Sequence, residues 1–302
     1  MTQKNFLIYI FAVLTIFLLC DIIYISLRKP IVRQSPTVTL PKKIWGAYTG
    51  NTTESFTDFQ KLVGKKADLN AVFVGWPDPF PASIAIPLKN GGRTPVIFWE
   101  SYGVTLDQII AGQEDYYIKQ FAEDAKNYGG NVILAPFHEM NGDWSPWNGT
   151  VGNNTPSKVI EAWKRMYNLF SGVSNVKFAW AVNNDSAPNT AENAITNYYP
   201  GADYVDYVGV DGFNFGDPWQ TYSEIFSKTL EQLKTYNKPI YIFSMASAEG
   251  PQKAEWITDT LSQIKANPDI AGWIWFNENK EQNWLIDSDP ASLQAFQVAV
   301  KQ

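Results

Sequence analysis

The sequence has 302 residues and a formal net charge of −6, with +3 on residues 1–33 and −9 on the remainder. So acidic a chain is a poor partner for nucleic acid, whose phosphates attract clusters of Lys and Arg. It has a single cysteine, Cys20, and a single histidine, His138, which argues against a disulfide framework and a zinc site. We expect no cofactor and no metal ion.

The amino terminus is apolar. A hydrophobic run extends from Phe6 to Leu27 and is interrupted by Asp21. Because about 20 apolar residues can cross a bilayer as a helix, the sequence predicts a tail over 1–5, a transmembrane signal-anchor over 6–27 and a tether over 28–42. A cleaved signal peptide is the alternative, but no small-residue cleavage site follows the run.

Eight short apolar runs recur along residues 43–302. They begin at Ile44, Ala71, Thr94, Asn131, Val176, Tyr204, Pro239 and Ala271. Helical spacing of apolar residues is clearest over Tyr116 to Tyr128, Ser157 to Phe170, Tyr222 to Tyr236 and Gln252 to Asn267. Buried parallel strands alternating with amphipathic helices predict an α/β fold, and eight units predict a (β/α)8 TIM barrel. A doubly wound open sheet is the alternative, but no glycine-rich phosphate loop follows any strand.

The segment after the second run fits this pattern least well. It contains Pro77, Pro79, Pro81 and Pro87. Proline lacks a backbone N–H and clashes with the preceding turn of a helix. We therefore expect no regular helix in this segment.

Functional side chains of such a barrel lie at the carboxyl ends of its strands. There the sequence places aromatic rings beside carboxylates and amides, which suits sugars, since these stack on rings and hydrogen-bond through hydroxyls. The sequence thus predicts a carbohydrate cleft. The candidate residues are Trp99, Glu100, Trp180, Asp211, Phe213, Asn214, Trp275 and Glu278. Alternatively, any one tryptophan closes the top of the barrel core.

The run FHEMNGDWSPW, residues 137–147, follows the fourth apolar run and holds the single histidine. It resembles the motif that ends the fourth strand in glycoside hydrolase family 26, which includes β-mannanases and mixed-linkage β-glucanases. The resemblance implies that Glu139 is the general acid/base, that His138 helps to position it, and that Trp144 lines the sugar site.

The likeness extends over nearly all of residues 43–300. Three further runs carry it: FWES at 98–101, VDYVGVDGFN at 205–214 and KPIYIFSMASAEGPQKAEWI at 238–257. Such enzymes retain anomeric configuration with two carboxyl groups, an acid and a nucleophile about 5 to 5.5 Å apart.

Two positions depart from the family pattern. Ser244 stands where the resemblance places the glutamate nucleophile, and Phe213 stands where the family usually has a tyrosine that supports it. A serine hydroxyl does not replace that carboxylate, because its pKa is too high. Loss of a catalytic carboxylate ordinarily lowers the rate by several orders of magnitude.

Two functions follow, both with β-1,4-linked mannan or mixed-linkage β-glucan as the polysaccharide partner. In the first, Glu139 protonates the leaving group while Glu100, Asp211 or Glu278 activates a water, which gives hydrolysis with inversion. In the second, the chain is a silent pseudoenzyme that holds the glycan. Bond formation from activated donors is a third possibility that the sequence leaves open.

Charge and chemistry favour different locations for the domain. Arg28, Lys29 and Arg33 follow the predicted anchor and outnumber Lys4 before it, and such basic flanks tend to stay in the cytoplasm. This rule opposes export. A polysaccharide partner favours the outside, so we expect a membrane-anchored extracellular domain.

Overall fold

The computed structural model describes residues 43–301. The predicted tail, transmembrane anchor and tether, residues 1–42, lie outside the described residues. Among the helices that the structure describes, none is long and apolar enough to cross a bilayer.

Eight parallel strands close into a barrel in sequence order, which confirms the TIM-type α/β prediction. The strands are Ile44–Tyr48 (β1), Leu69–Gly75 (β2), Thr94–Glu100 (β3), Val132–Pro136 (β4), Val176–Asn183 (β5), Tyr207–Asn214 (β6), Ile240–Ser247 (β7) and Ile270–Phe276 (β8). Closure comes from β1 and β8, which pair from Ile44 opposite Gly272 to Tyr48 opposite Phe276.

Helices lie between the strands. They are Thr53–Val63 (α1), Ala82–Asn90 (α2), Leu106–Ile110 (α3), Asp115–Tyr128 (α4), Pro156–Leu169 (α5), Tyr222–Lys234 (α6), Lys253–Ala266 (α7) and Pro290–Lys301 (α8). Two short 3₁₀ helices, Ile195–Tyr198 and Ala202–Tyr204, stand between β5 and β6. Threonine N-caps begin α1, α3, α5 and α6, where each hydroxyl accepts a backbone N–H of the first turn.

The expectation that no helix forms among the prolines is wrong. Pro81 caps α2 rather than lying within it, and the interior Pro87 comes late in a helix of nine residues. Ala85 and Leu88 bury their side chains against the barrel, so tertiary packing outweighs the local cost of the proline.

Successive side chains along the strands point to opposite faces of the sheet and form two apolar layers. Side chains of one set fill the barrel interior, namely Leu69, Ala71, Val96, Phe98, Ile133, Ala135, Ala179, Ala181, Tyr241, Phe243 and Ile274. Side chains of the other set join the helices in the larger outer core. At the carboxyl end, a register shift between Val210 and Asp211 sets Asp211 opposite Ser244 on β7. Irregular pairing at this point brings two polar groups together at the barrel mouth.

Candidate active site

The loop after β4 presents Glu139 on a constrained backbone. Phe137 and Glu139 both adopt positive φ, at 52° and 55°, a region that residues other than glycine rarely occupy. The amide of Glu139 donates to the Ala181 carbonyl at 2.9 Å, and the Asn148 side-chain amide donates to the Glu139 carbonyl at 2.7 Å. The surrounding fold therefore fixes the direction of the Glu139 side chain.

Trp144 lies against the Glu139 carboxyl group. Its indole N–H donates to Glu139 Oε2 at 3.0 Å, and the ring is 52% exposed, so one face is free for a ligand. The ring also covers Gly142, where a Cβ atom would come within 2.6 Å of the indole. Glycine at this position allows the close approach of the tryptophan.

His138 bridges two carboxylates at the barrel mouth. Its Nε2 lies 3.4 Å from Glu100 Oε1, and its Nδ1 lies 3.8 Å from Asp211 Oδ2. Burial by itself lowers the pKa of His138, but hydrogen bonding to Asp211 and Glu100 and the charge of Glu139 raise it, with a net pKa of about 10. The imidazole is therefore a cation at neutral pH.

The pKa of Glu139 moves upward. Burial has the largest effect and the negative charge of Asp211 the next, and together they raise the pKa of Glu139 to about 7. The charge of His138 and the Trp144 hydrogen bond act in the opposite direction. Near neutral pH a substantial fraction of Glu139 is therefore protonated, as a general acid requires.

Ser244 and Phe213 lie on the adjoining strands. The Ser244 backbone N–H hydrogen-bonds to the Asp211 carboxylate. The Ser244 residue is buried, with 6% of its surface exposed. Phe213 is partly buried, with its ring centroid 5.7 Å from that of Phe276 and 5.2 Å from that of Trp284.

A further polar group lines the β1, β3 and β8 side of the mouth, and two of its members, Tyr102 and Lys280, were missed by sequence reasoning. Tyr48 hydrogen-bonds to Glu278, and burial followed by the charge of Glu278 raises the Tyr48 pKa. Tyr102 hydrogen-bonds to Glu100, and the charge of Lys280 acts on both Tyr102 and Glu100. The available signal was position, since these residues stand at or just beyond strand ends.

The prediction that Trp99, Trp180 and Trp275 bind sugar is wrong. All three are 0% exposed, because they point outwards from their strands into the helix layer. The Trp99 indole N–H donates to the Tyr117 hydroxyl on α4, and Trp275 donates to the Trp284 carbonyl. These tryptophans belong to the core.

Two polar candidates are also too enclosed to contact a ligand directly. Asn214 is 0% exposed, accepts the Gly216 and Gln220 N–H groups and donates to Ser247, so it shapes the loop after β6. Asp211 is 1% exposed and lies beside His138, so it orients and charges the imidazole. Among the described residues, no cluster of His, Cys, Asp and Glu is arranged to hold a metal ion.

Comparison with known proteins places this chain in a family. Residues 97–289 match the family model described as glycosyl hydrolase family 26. Endoglucanase H of Acetivibrio thermocellus is 35% identical over 271 residues, which are 84% of this chain and 30% of that protein. A mannan endo-1,4-beta-mannosidase of Bacillus subtilis is 29% identical over 149 residues, which are 48% of this chain and 37% of that protein. The chain thus spans well under half the length of these relatives.

Solved structures share the fold at lower sequence identity. A Bacillus subtilis mannanase superposes with a TM-score of 0.62 at 18% identity, covering 85% of both chains. An endo-beta-1,4-mannanase catalytic domain from a Bacillus species gives a TM-score of 0.67 at 15% identity, covering 86% of both chains. The family model covers more than half of this sequence, and the chain therefore belongs to glycosyl hydrolase family 26.

Proposed function

We propose that the chain acts on β-1,4-linked mannan or mixed-linkage β-glucan and that Glu139 protonates the glycosidic oxygen. The observation that carries this proposal is the Glu139 carboxyl group, held by a constrained backbone and hydrogen-bonded to a half-exposed indole ring. An acid with a pKa of about 7 transfers a proton effectively near neutral pH. The names of an endoglucanase and mannanases among the relatives support the substrate class.

The second half of the reaction takes place on the opposite face of the sugar. With Ser244 in the nucleophile position, a water replaces the carboxylate as the attacking group and the anomeric configuration inverts. Glu278 is the favoured base, because it follows β8, the strand next to Ser244 on β7, and lies across the barrel from Glu139 on β4. Asp211 is too enclosed for this role.

The proposal includes the location of the reaction. The domain acts outside the cell, and residues 6–27 anchor it to the membrane. The supporting observation is the apolar run of that segment, together with a polymeric partner that is met outside the cell.

Hydrolysis is tested with the purified full chain and three polymers: galactomannan, glucomannan and barley β-glucan. We expect new reducing ends from at least one polymer, a loss of about 100-fold or more in Glu139→Gln, and α-anomers as the first products by NMR. Glu278→Gln should reduce the rate more than Glu100→Gln. Products that first appear as β-anomers would exclude the water mechanism.

A second candidate function is binding without cleavage. It is favoured by the absence of a carboxylate at Ser244 and of a hydroxyl at Phe213, which removes the usual attacking group and its support. Retardation of the full chain in a gel that contains one polymer, with no reducing ends after long incubation, would favour this function over hydrolysis. Loss of retardation in Trp144→Ala would assign binding to the same cleft.

A further inference from the structure

We propose that Phe215 is the platform of a second sugar-binding subsite, where one unit of the β-linked glycan stacks on the exposed face of the ring. This inference rests on the proposed function, because it concerns the same cleft and the same class of polymer. It assigns a role to a residue that the chemical step does not use, and it makes the affinity of the cleft depend on the length of the glycan.

Phe215 lies at the barrel mouth, directly after β6. Successive side chains of a strand alternate between its two faces, so Phe215 continues the row of Asp211 and Phe213 at the mouth. The ring centroids of Phe215 and Phe213 lie 6.1 Å apart, which agrees with this placement. Phe215 is nevertheless 49% exposed, so a large apolar ring stays in contact with water at the edge of the cleft.

The Phe215 ring rests on a rigid base. Trp284, in the loop after β8, is 1% exposed, and its ring stands at 82° to that of Phe215 with the centroids 5.2 Å apart. The Trp284 backbone N–H donates to the Glu278 carbonyl at 3.0 Å, and the Trp284 carbonyl accepts the Trp275 indole N–H at 3.1 Å. Lys253 donates to the carbonyls on either side of Trp284. Trp284 is thus held in place, and it supports Phe215 from behind.

The backbone around Phe215 is fixed as well. The Asn214 side-chain oxygen accepts the N–H groups of Gly216 and Gln220 at 3.1 and 3.0 Å, and the Asn214 carbonyl accepts the Ala248 N–H at 2.8 Å. Gly216 has a φ of 87°, which glycine adopts without strain. A ring held in this way loses little conformational freedom when a ligand binds, as is typical of aromatic residues that contribute most to affinity.

Phe215 and Trp144 contact different units of the glycan. Trp144 follows β4 and Phe215 follows β6, so two strand spacings, about 10 Å in all, separate the ends of their strands. Trp144 is hydrogen-bonded to Glu139 and therefore lies at the catalytic centre. A sugar on Phe215 lies farther along the chain. Because a phenyl ring has no hydrogen-bonding atom, this subsite recognises the apolar C–H face of a sugar and accepts glucose and mannose alike.

The test measures the affinity of the full chain for β-1,4-linked gluco- and manno-oligosaccharides of two to six units. All variants carry Glu139→Gln, so that no oligosaccharide is cleaved, and the chain with this change alone is the parent. We expect Phe215→Ala to raise the Kd for six units by about tenfold. The Kd for two units should change by less than about twofold, because the short molecule occupies the catalytic centre alone.

Two further variants serve as controls. Phe215→Trp keeps an aromatic platform and should bind every oligosaccharide within about twofold of the parent. Tyr116→Ala removes another exposed ring, which is 83% exposed on α4 in the outer helix layer. Its affinities should equal those of the parent at every length.

The outcomes separate this inference from the proposed function. Binding that Phe215→Ala leaves unchanged at every length overturns the inference and leaves the proposed function intact. An equal loss at every length, or a loss that Phe215→Trp shares, also overturns it, because such a loss reports a distorted mouth rather than a missing ring. A chain that acts on polymer but binds neither series overturns the inference alone. A chain that neither acts on polymer nor binds polymer or oligosaccharide contradicts both proposals.

Discussion

The hydrogen bond between Trp144 and Glu139 adjusts the acid as well as lining the sugar site. The indole N–H stabilises the ionised carboxylate and thereby lowers its pKa. Trp144→Phe keeps an aromatic ring but removes this donor, so we expect the Glu139 pKa to rise above about 7. The protonated acid then persists to higher pH, and the basic limb of the kcat/KM profile for hydrolysis should shift upward.

The matched control for this shift is Trp219→Phe, a partly buried tryptophan in the loop after β6. Its pH profile should keep the position seen in the unaltered chain. A basic limb that stays in place in Trp144→Phe, or that moves equally in the control, would contradict the assigned coupling between indole and carboxyl group.

Ser244 and Phe213 give a second prediction at the level of single residues. The double variant Ser244→Glu with Phe213→Tyr restores a carboxylate on β7 and a hydroxyl on the neighbouring strand β6. If the cleft is otherwise complete, retaining cleavage should rise by at least about 100-fold over the unaltered chain, with β-anomers as the first products. Reducing-end assays and NMR measure this gain. No gain in the double variant, with polymer binding preserved, would refute the carry-over of the family's nucleophile position.

Single residues were predictable from sequence where the site is contiguous. His138, Glu139 and Trp144 lie in one short run, so their proximity is built into the chain. Trp99 and Trp275 were misassigned because successive side chains along a strand point alternately into the barrel and out towards the helices. Composition does not show which of the two faces a given tryptophan occupies.

At the level of elements, a buried lysine holds one of the loops at the barrel mouth in place. The loop from β8 to α8 carries Glu278 and Lys280 and is held by Lys253 on α7. The Lys253 ammonium group donates to the carbonyls of Asn283 and Leu285 at 2.9 and 2.7 Å and to the Ser288 hydroxyl at 3.1 Å. Since Lys253 is 0% exposed, this contact fastens the loop from within.

Lys253→Met therefore tests the loop. The substitution leaves three hydrogen-bond acceptors without their donor, which destabilises the fold. Because this cost exceeds the stabilisation gained by removing a buried charge, we expect a loss of about 1–3 kcal/mol in the free energy of unfolding. Burial lowers the pKa of Lys253 to about 8 from 10.5, so the folded chain binds fewer protons than the unfolded chain between those values. The contribution of Lys253 to stability thus rises with pH in this window, and the deficit of the variant should grow from pH 8 to 10.

Urea unfolding at pH 7, 8 and 10 measures this deficit. Lys265→Met lies on the same helix but is exposed, and it should change stability by less than about 0.5 kcal/mol. Hydrogen exchange over residues 277–288 should accelerate in Lys253→Met alone. Equal stability of the two variants would show that Lys253 does not fasten the loop.

The elements were largely predictable because buried strands and amphipathic helices leave distinct periodic patterns. Helix α2 was missed because the sequence shows its prolines, which disfavour a helix, but not the packing that buries Ala85 and Leu88. The register shift at Asp211 was not predictable, because it depends on how β6 meets β7 in three dimensions. That shift determines which polar groups meet at the mouth.

At the scale of the whole molecule, the site depends on closure of the barrel, which brings side chains from β3, β4, β6, β7 and β8 to one mouth. Strand β1 pairs with β2 in a short ladder, with Gly46 opposite Leu69 and Ala47 opposite Asn70. A Cβ atom at Gly46 would lie 2.5 Å from the Leu69 carbonyl oxygen, so a side chain there forces the two strands apart.

Gly46→Ala should therefore destabilise the entire barrel rather than one loop. We expect a loss of about 1–3 kcal/mol, as for other overpacked cores, and a single cooperative transition at a lower Tm. Gly75→Ala on β2 is the matched control, since the nearest atom to its added Cβ is 4.0 Å away on Tyr102. Calorimetry of the full chain measures both. A Tm for Gly46→Ala equal to that of Gly75→Ala would mean that β1 and β2 can move apart without loss of stability. Close pairing of these two strands would then not be required for the barrel mouth to form.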